Sequence, residues 1–438
     1  KDGKRTAELI HSTAPAMLFI DEEPLQFTVS ERVPDLSYEI LNYHDEIVAK
    51  GPVPESGSFI LPRLPRGYYR IILKAPKVQF HGAASFSVIP DPDRRRQNPD
   101  SPYSMDAALS VIGTAHVYQR GDKEKSMRFF VNLARMAGVT VARERTHQDL
   151  SEKVKGVYDW NFYGLAPKLF SEAGIALSST WHNFASWARE KGHKYTYDLM
   201  IPYQFAQQLA KNFHNQIKFW EFWNEPDVGF AQESAWNFAS AMKAASLGFK
   251  AGSPDAAVLT GAMCLFPVRN FVKSAFASDL DFYYDIFNYH TYLMPAEYPA
   301  LLQEIYALID RAGRKPPVWF TETGTNVEGQ ATLPSCTPGK LEQSYEQELM
   351  VAEFHPKSVI LLKQLGAGKV FPFVLPPFNE IGGAKMWGLL RQNYTVKPAF
   401  VALAVQSRLL GGATLLGECE ERNGVRSFLF EREDGSQI

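Results

Sequence analysis

From about residue 105 the chain repeats one grammar, a short apolar run of strand-forming residues and then a longer segment with helical spacing. This repetition constrains the fold more than any other feature. In Lys123 to Ala137 the residues Met127, Phe130, Leu133 and Ala137 share one helical face, and Gly138 ends the helix ahead of a strand at Val139 to Ala142. The couplet recurs as helix Leu165 to Ala173 with strand Ile175 to Ser179, helix Tyr203 to Phe213 with strand Ile217 to Phe222, and helix Ser234 to Phe249 with strand Ala257 to Ala262. It continues with a short helix near Val268 to Ala275 and strand Tyr284 to Tyr289, then helix Pro299 to Ala312 and strand Pro317 to Thr321. A long helix around Leu341 to Leu365 precedes the last strand, Lys369 to Val374, and Ala108 to Ile112 supplies the first, which makes eight. Eight strands separated by helices, with no Gly-rich dinucleotide loop after the first, predict an α/β chain built on a closed (β/α)8 TIM barrel rather than a doubly wound open sheet.

A barrel needs roughly 250 residues, so a chain of 438 has room for companions. Up to about Pro92 the text is brief alternating runs broken by Pro and Gly, which predicts an N-terminal β-sandwich over 1–92. Residues 93–104 lose their apolar content at first, as a linker does, and Arg94 to Arg96 read as solvated charge there rather than a polyanion patch. The barrel is assigned to 105–410, with a final helix near Val396 to Leu409. In 411–438 the runs Ala413 to Leu416 and Val425 to Glu431 revert to strand pattern, as C-terminal β-strands of an incomplete accessory domain. Glu433-Asp434-Gly435-Ser436 then reads as a hairpin turn whose returning strand is absent at Ile438.

The composition, 45% hydrophobic and 21% charged with a net charge of −2, is that of an ordinary globular protein and argues against a nucleic-acid partner. No apolar run approaches the roughly 18 residues of a membrane span. Cys264, Cys336 and Cys419 show no C-x-x-C spacing and no histidine cluster, so no metal centre and no cofactor are expected, although one disulfide has room to form. The chain starts at Lys1, which reads as the loss of a leader or tag and fits a secreted, periplasmic or cell-surface protein. Nothing in the sequence sets an oligomeric state.

Two motifs carry chemistry. Trp220-Glu221-Phe222-Trp223-Asn224-Glu225-Pro226-Asp227 and Val318-Trp319-Phe320-Thr321-Glu322-Thr323-Gly324 each place a carboxylate at the end of a strand-forming run, where a parallel barrel presents its active face. By the couplet count Glu225 follows the fourth strand and Glu322 the seventh, on opposite sides of the barrel mouth. Two convergent carboxylates are what glycosidic cleavage requires, and a separation of about 5 to 5.5 Å gives a nucleophile and an acid/base with retained anomeric configuration.

Motif order and spacing over about residues 108 to 410 resemble the clan A glycoside hydrolases, nearest in texture to the cellulase and β-xylosidase-like branches. Trp223-Asn224-Glu225-Pro226 looks like the clan's acid/base motif and Thr321-Glu322-Thr323-Gly324 like its nucleophile site. Arg143 is similar to the strand-two arginine, Trp181-His182-Asn183 to the strand-three histidine, and His290-Thr291-Tyr292 to the strand-six His-x-Tyr. Trp387-Gly388 with Lys397-Pro398 is also clan-like. Two departures stand out: Gln148 where many members have tryptophan, and a strand eight without the tryptophan that commonly floors the −1 subsite.

The resemblance implies a retaining β-glycosidase acting on an oligo- or polysaccharide, with Glu322 as nucleophile and Glu225 as acid/base. The Glu225 site should raise its pKa, since the acid must begin protonated. Arg143 and Tyr292 would hold Glu322, Asn224 would donate to the sugar 2-hydroxyl, and His182 and His290 would orient hydroxyls or carboxylates. His116, at the predicted end of strand one, is a further candidate. Of the aromatics near strand ends (Trp160, Trp181, Trp187, Trp223, Trp236, Phe230 and Trp387), Trp181, Trp223 and Trp387 are candidates for stacking on sugar faces, while Trp220 and Trp319 are assigned to packing. Two other functions fit the same residues: a transglycosylase, and a catalytically retired barrel that only binds carbohydrate.

Overall fold

A computed structural model describes the chain apart from residues 1–8, 32, 77–79, 95–97, 119–120, 266–268, 311–312, 326–341 and 381–384, with backbone alone for 80–82. Cys336, Arg95, Arg96 and the first residues of two predicted helices, Val268 and Leu341, lie outside the described residues. Eight parallel strands alternate with helices: β1 (Ser104–Asp106), β2 (Val141–His147), β3 (Ala176–His182), β4 (Ile217–Phe222), β5 (Ala257–Leu259), β6 (Phe287–Thr291), β7 (Val318–Thr323) and β8 (Ala367–Pro372). They pair in the order β5-β4-β3-β2-β1 and β6-β7-β8. Isolated parallel bridges lie at both seams, Leu259↔Ile286 and Met263↔Tyr289 between the β5 and β6 regions, and Tyr103↔Val370 between those of β1 and β8.

Capping fixes where the helices start and stop. Asp122 accepts the Lys125 amide before helix Lys123–Ala137, and Gly138 closes that helix in the left-handed region at φ 78°. Ser234 caps Ala235–Gly252, and Ser344 with Gln347 forms a capping box on Tyr345–Gln364. Helices Met200–Phe213 and Ala235–Gly252 approach so closely that a Cβ at Gly248 would stand 2.2 Å from the Tyr203 carbonyl oxygen. Apolar side chains between strands and helices form the main core, and Val141, Leu259, Ile286, Trp319 and Phe371 form a smaller apolar cluster of strand residues. Among the described residues no helix is long and apolar enough to cross a membrane, and Cys264 and Cys419 are free thiols.

The first strand differs from expectation. Residues 108–112 form a turn, with Ala108 at φ 46°, because the amides of Leu109 and Ser110 are taken by the Glu144 carboxylate at 2.7 and 3.0 Å. The ladder to β2 is made by Ser104, Met105 and Asp106 instead.

In the N-terminal region a three-stranded antiparallel sheet (Ile10–His11, Gln26–Val29, Ser58–Ile60) and a five-stranded sheet (Leu18–Ile20, Phe80–Ile89, Gly67–Ala75, Ser37–Leu41, Ile47–Pro52) share one apolar cluster. Phe27 of the first meets Phe86 of the second at 4.9 Å between ring centroids. Arg391 joins this region to the strand–helix repeat: it donates to both oxygens of Glu348 at 2.8 and 2.5 Å, to Tyr68 Oη at 2.7 Å and to Ser85 Oγ at 2.7 Å. At the other end Thr414–Glu418 pairs antiparallel with Phe428–Glu431. The chain then turns back, and Phe430 and Ile438 exchange backbone hydrogen bonds, so the return that the sequence reading found absent begins within the chain.

Candidate active site

Strand parity decides which side chains meet. In β2 the alternation sends Arg143 and Arg145 to the inner face and Glu144 to the outer one. In β3 and β4 the same rule puts Thr180, His182 and Glu221 inside and turns Trp181, Trp220 and Phe222 toward the helices. Register then sets Arg143 beside Asp106 of β1, and Thr180 beside Glu221.

The result is a buried ion lattice. Arg143 donates from Nε and Nη2 to Glu221 at 2.8 and 3.0 Å, from Nη1 to Asp106 at 2.9 Å and to Glu322 Oε1 at 2.7 Å, and from Nη2 to Asn224 Oδ1 at 2.8 Å. Arg145 donates to both oxygens of Asp106 and, at 2.8 Å, to Glu322 Oε1. Tyr292 donates to Glu322 Oε2 at 2.6 Å. Burial opposes the Glu221 charge, but the charge and hydrogen bonds of Arg143 outweigh it and hold that carboxyl down at about 2. Burial, and then the Glu322 charge, push the Tyr292 phenol well above its ordinary value, so its proton stays on the oxygen that donates.

Glu225 reaches the site through two left-handed residues, Trp223 at φ 72° and Glu225 itself at φ 46°. These break the parity of β4. Trp223 N–H donates to the Trp181 carbonyl and Glu225 N–H to that of Ala262. Asp227 accepts the Cys264 and Leu265 amides, the latter at 2.7 Å, which ties the same turn to the segment after β5. The Glu225 Oε1 atom lies 2.8 Å from His290 Nδ1, which is 3.5 Å from Glu322 Oε2, and one oxygen of each glutamate and this nitrogen all lie within 4.8 Å of one another. Such a trio offers three ligand atoms to a cation, but two guanidinium groups on Glu322 oppose one there.

The electrostatics of Glu225 differ from the expectation of a raised pKa. Burial pushes it up, but the hydrogen bond and charge of His290, with Arg143 and Arg145 further off, win and lower it. At the edge of the site His182 lies 3.1 Å from His147, ring nitrogen to ring nitrogen, and burial and the neighbouring His147 hold it well below its usual value. Trp387 packs against Tyr292 at 5.0 Å between centroids, and Gly324 is hemmed in by both rings, where a Cβ would stand 3.1 Å from each. A tryptophan beyond β8 thus stands beside Tyr292, the donor to Glu322 Oε2, although β8 has none.

Three candidates are corrected. Trp181 and Trp223 are both 0% exposed and belong to an aromatic core with Phe184, Tyr195 and Phe222, not to the cleft, because the parity of β3 and the left-handed turn at Trp223 face them outward. His116 does not end a strand; it lies in the short helix Thr114–Val117, with its ring nitrogens 2.9 Å from Tyr394 Oη and the Pro377 carbonyl oxygen. The sequence reading passed over Asp106, Arg145, Glu221 and His147. The i, i+2 spacing of Arg143, Arg145 and His147 was the available signal, since it places all three on one strand face.

No protein-family model and no curated protein sequence matches the chain. Solved structures do. A family 39 glycoside hydrolase from the gut symbiont Bacteroides cellulosilyticus WH2 superposes with a TM-score of 0.74 at 17% identity, over 97% of this chain and 87% of that one. A family 39 β-xylosidase from Caulobacter crescentus gives 0.51 at 17% identity over 78% and 75%. Xylanase 10B from Thermotoga petrophila RKU-1, solved in complex with xylobiose, gives 0.51 at 15% identity over 71% and 95%. The chain therefore shares its fold with clan A glycoside hydrolases, the group whose motifs its sequence resembles.

Proposed function

We propose that the chain is a retaining β-glycoside hydrolase acting on an oligo- or polysaccharide, in which β1 to β8 close into a (β/α)8 barrel beside an N-terminal β-sandwich. The observation that carries this reading is the approach of the Glu225 and Glu322 oxygens within 4.8 Å. That separation suits a nucleophile and an acid/base, and is shorter than the roughly 6.5 to 9.5 Å that leaves room for a water between inverting carboxylates.

Oε1 of Glu322 accepts from two guanidinium groups and Oε2 from the Tyr292 hydroxyl alone, so Oε2, with the fewer donors, is the oxygen that attacks. It forms a bond to the anomeric carbon as the glycosidic C–O bond breaks, and Glu225, in the protonated form that its lowered pKa makes the minor one, gives its proton to the departing oxygen. In the second step Glu225 takes a proton from water, the water oxygen bonds to the anomeric carbon, and the ester bond to Glu322 breaks. Asn224, fixed through its carbonyl by Arg143, presents its amide N–H to the sugar 2-hydroxyl.

The test is hydrolysis of a panel of aryl β-glycosides with the product anomer followed by NMR. Retention is expected. Glu322→Ala should abolish turnover, and Glu225→Ala should keep activity on good leaving groups with partial rescue by azide. An inverted product, or ordinary activity in Glu322→Ala, would refute the assignment.

A further inference from the structure

Of the eight tryptophans, Trp236 alone is largely exposed, at 62%; the others are buried or half-buried. It stands in the first turn of helix Ala235–Gly252, just past the loop that carries Glu225, and Phe230 of that loop is 49% exposed. The neighbouring loop after β3 brings a third open ring, Tyr197, at 53%.

These loops are joined through one carboxylate. Glu233, whose side chain is 3% exposed, accepts the Lys194 amide at 2.8 Å, lies 3.2 Å from His193 Nδ1, and accepts from Asn237 at 3.4 Å. Tyr197 Oη is 3.1 Å from His193 Nε2, with the two rings 5.3 Å apart. Three open rings therefore stand on two connections joined through Glu233: Tyr197 after β3, its hydroxyl beside the His193 imidazole, and Phe230 and Trp236 after β4. Apolar faces beside a few placed polar groups are what a pyranose chain presents a need for, since its C–H faces stack on rings while its hydroxyls need partners.

Resting on the glycosidase reading above, we propose that Tyr197, Phe230 and Trp236 form an aromatic strip that holds the sugar chain of the substrate beyond the catalytic pair. The substrate is then a long oligosaccharide or a polysaccharide, bound by units that take no part in the chemistry.

Wild type, Trp236→Ala and the double variant Phe230→Ala/Trp236→Ala are compared on xylohexaose, cellohexaose, mannohexaose and laminarihexaose and on aryl glycosides of the matching single sugars. For the series that the wild type cleaves, the ratio of kcat/KM on the hexasaccharide to that on the aryl glycoside should fall about five-fold or more in Trp236→Ala, about 1 kcal/mol, mostly through KM, and further in the double variant. A ratio constant within about two-fold overturns the proposal. So does an altered oligomeric state with a constant ratio, which assigns the strip to a contact between subunits. If the wild type cleaves no glycoside, the functional reading fails and the strip is judged alone, by titrating tryptophan fluorescence with the same hexasaccharides. A saturable change lost in Trp236→Ala upholds the strip, and no change with any of them removes it.

Discussion

Replacing Arg145 by methionine should slow the second half of the proposed reaction more than the first. Arg145 is 5% exposed and donates to Glu322 Oε1 at 2.8 Å. Arg143 at 2.7 Å and Tyr292 at 2.6 Å hold the same carboxylate without it, so its orientation should survive. On Glu322 the loss is one charge-assisted hydrogen bond, worth about 1.5–3 kcal/mol, while Asp106 loses both bonds from Arg145 and keeps the one from Arg143. The bond to Glu322 is complete in the free enzyme, about half-formed in each transition state and nearly absent in the glycosyl ester, whose oxygens carry little charge. Its removal therefore raises the free enzyme by the full amount, each transition state by about half and the ester hardly at all. The barrier to ester breakdown grows by about 0.8–1.5 kcal/mol, a slowing of about four- to twelve-fold, while ester formation is not slowed by this term. Stopped-flow release of 2,4-dinitrophenol from the matching aryl glycoside reads both steps, with circular dichroism to verify the fold. A larger burst and a slower steady state are expected. A variant with no burst, whose loss falls wholly on kcat/KM, would refute the reasoning.

Removing the donor on Glu225 with His290→Phe should let burial dominate and raise the Glu225 pKa, so the alkaline limb of kcat/KM moves to higher pH; a limb that stays or moves down contradicts the electrostatics. Glu221, with its pKa lowered from 4.5 to about 2, contributes stability that is present above about pH 4.5 and lost as pH falls toward 2. Glu221→Gln should cost roughly 3 kcal/mol in urea unfolding at pH 7, and the difference from wild type should shrink across that window. Gly261→Ala places a Cβ 2.0 Å from the Phe222 carbonyl oxygen at φ 82° and should destabilise by more than about 2 kcal/mol in the same assay. Asp227→Ala frees the Cys264 and Leu265 amides from the turn that carries Glu225. It should lower kcat on poor leaving groups more than on good ones, and an equal loss on both would show that the turn holds without it.

Long helices and the strand ends that lead to Glu225 and Glu322 were legible in the sequence because periodicity and caps are local. Helix Lys123–Ala137 was placed to the residue, and the fourth strand was read at Ile217 to Phe222, as it stands. What failed depended on tertiary partners. Nothing local shows that Glu144 claims the Leu109 and Ser110 amides, yet that contact turns an apparent strand into a loop. Trp181 and Trp223 look like cleft aromatics by position, and one is excluded by strand parity, the other by a left-handed turn that two ordinary side chains do not advertise. Arg145 and Asp106 were missed for a different reason: a buried charge is recognised by its partners, and those lie on other strands.

The Arg391 joint bears on how the molecule can be divided. Its guanidinium is shared between Glu348, on the helix that follows β7, and two groups of the N-terminal sheet, Tyr68 and Ser85. Tyr68 also lies ring to ring with Tyr345 at 6.2 Å, and Leu18 and Ile89 enter the main core. Trimming the first ninety or so residues would strip two acceptors from Arg391, remove the ring beside Tyr345 and uncover the side of helix Pro398–Leu410 that packs on strands Gly67–Ala75 and Phe80–Ile89. The region that looks like an appendage is better regarded as part of the wall.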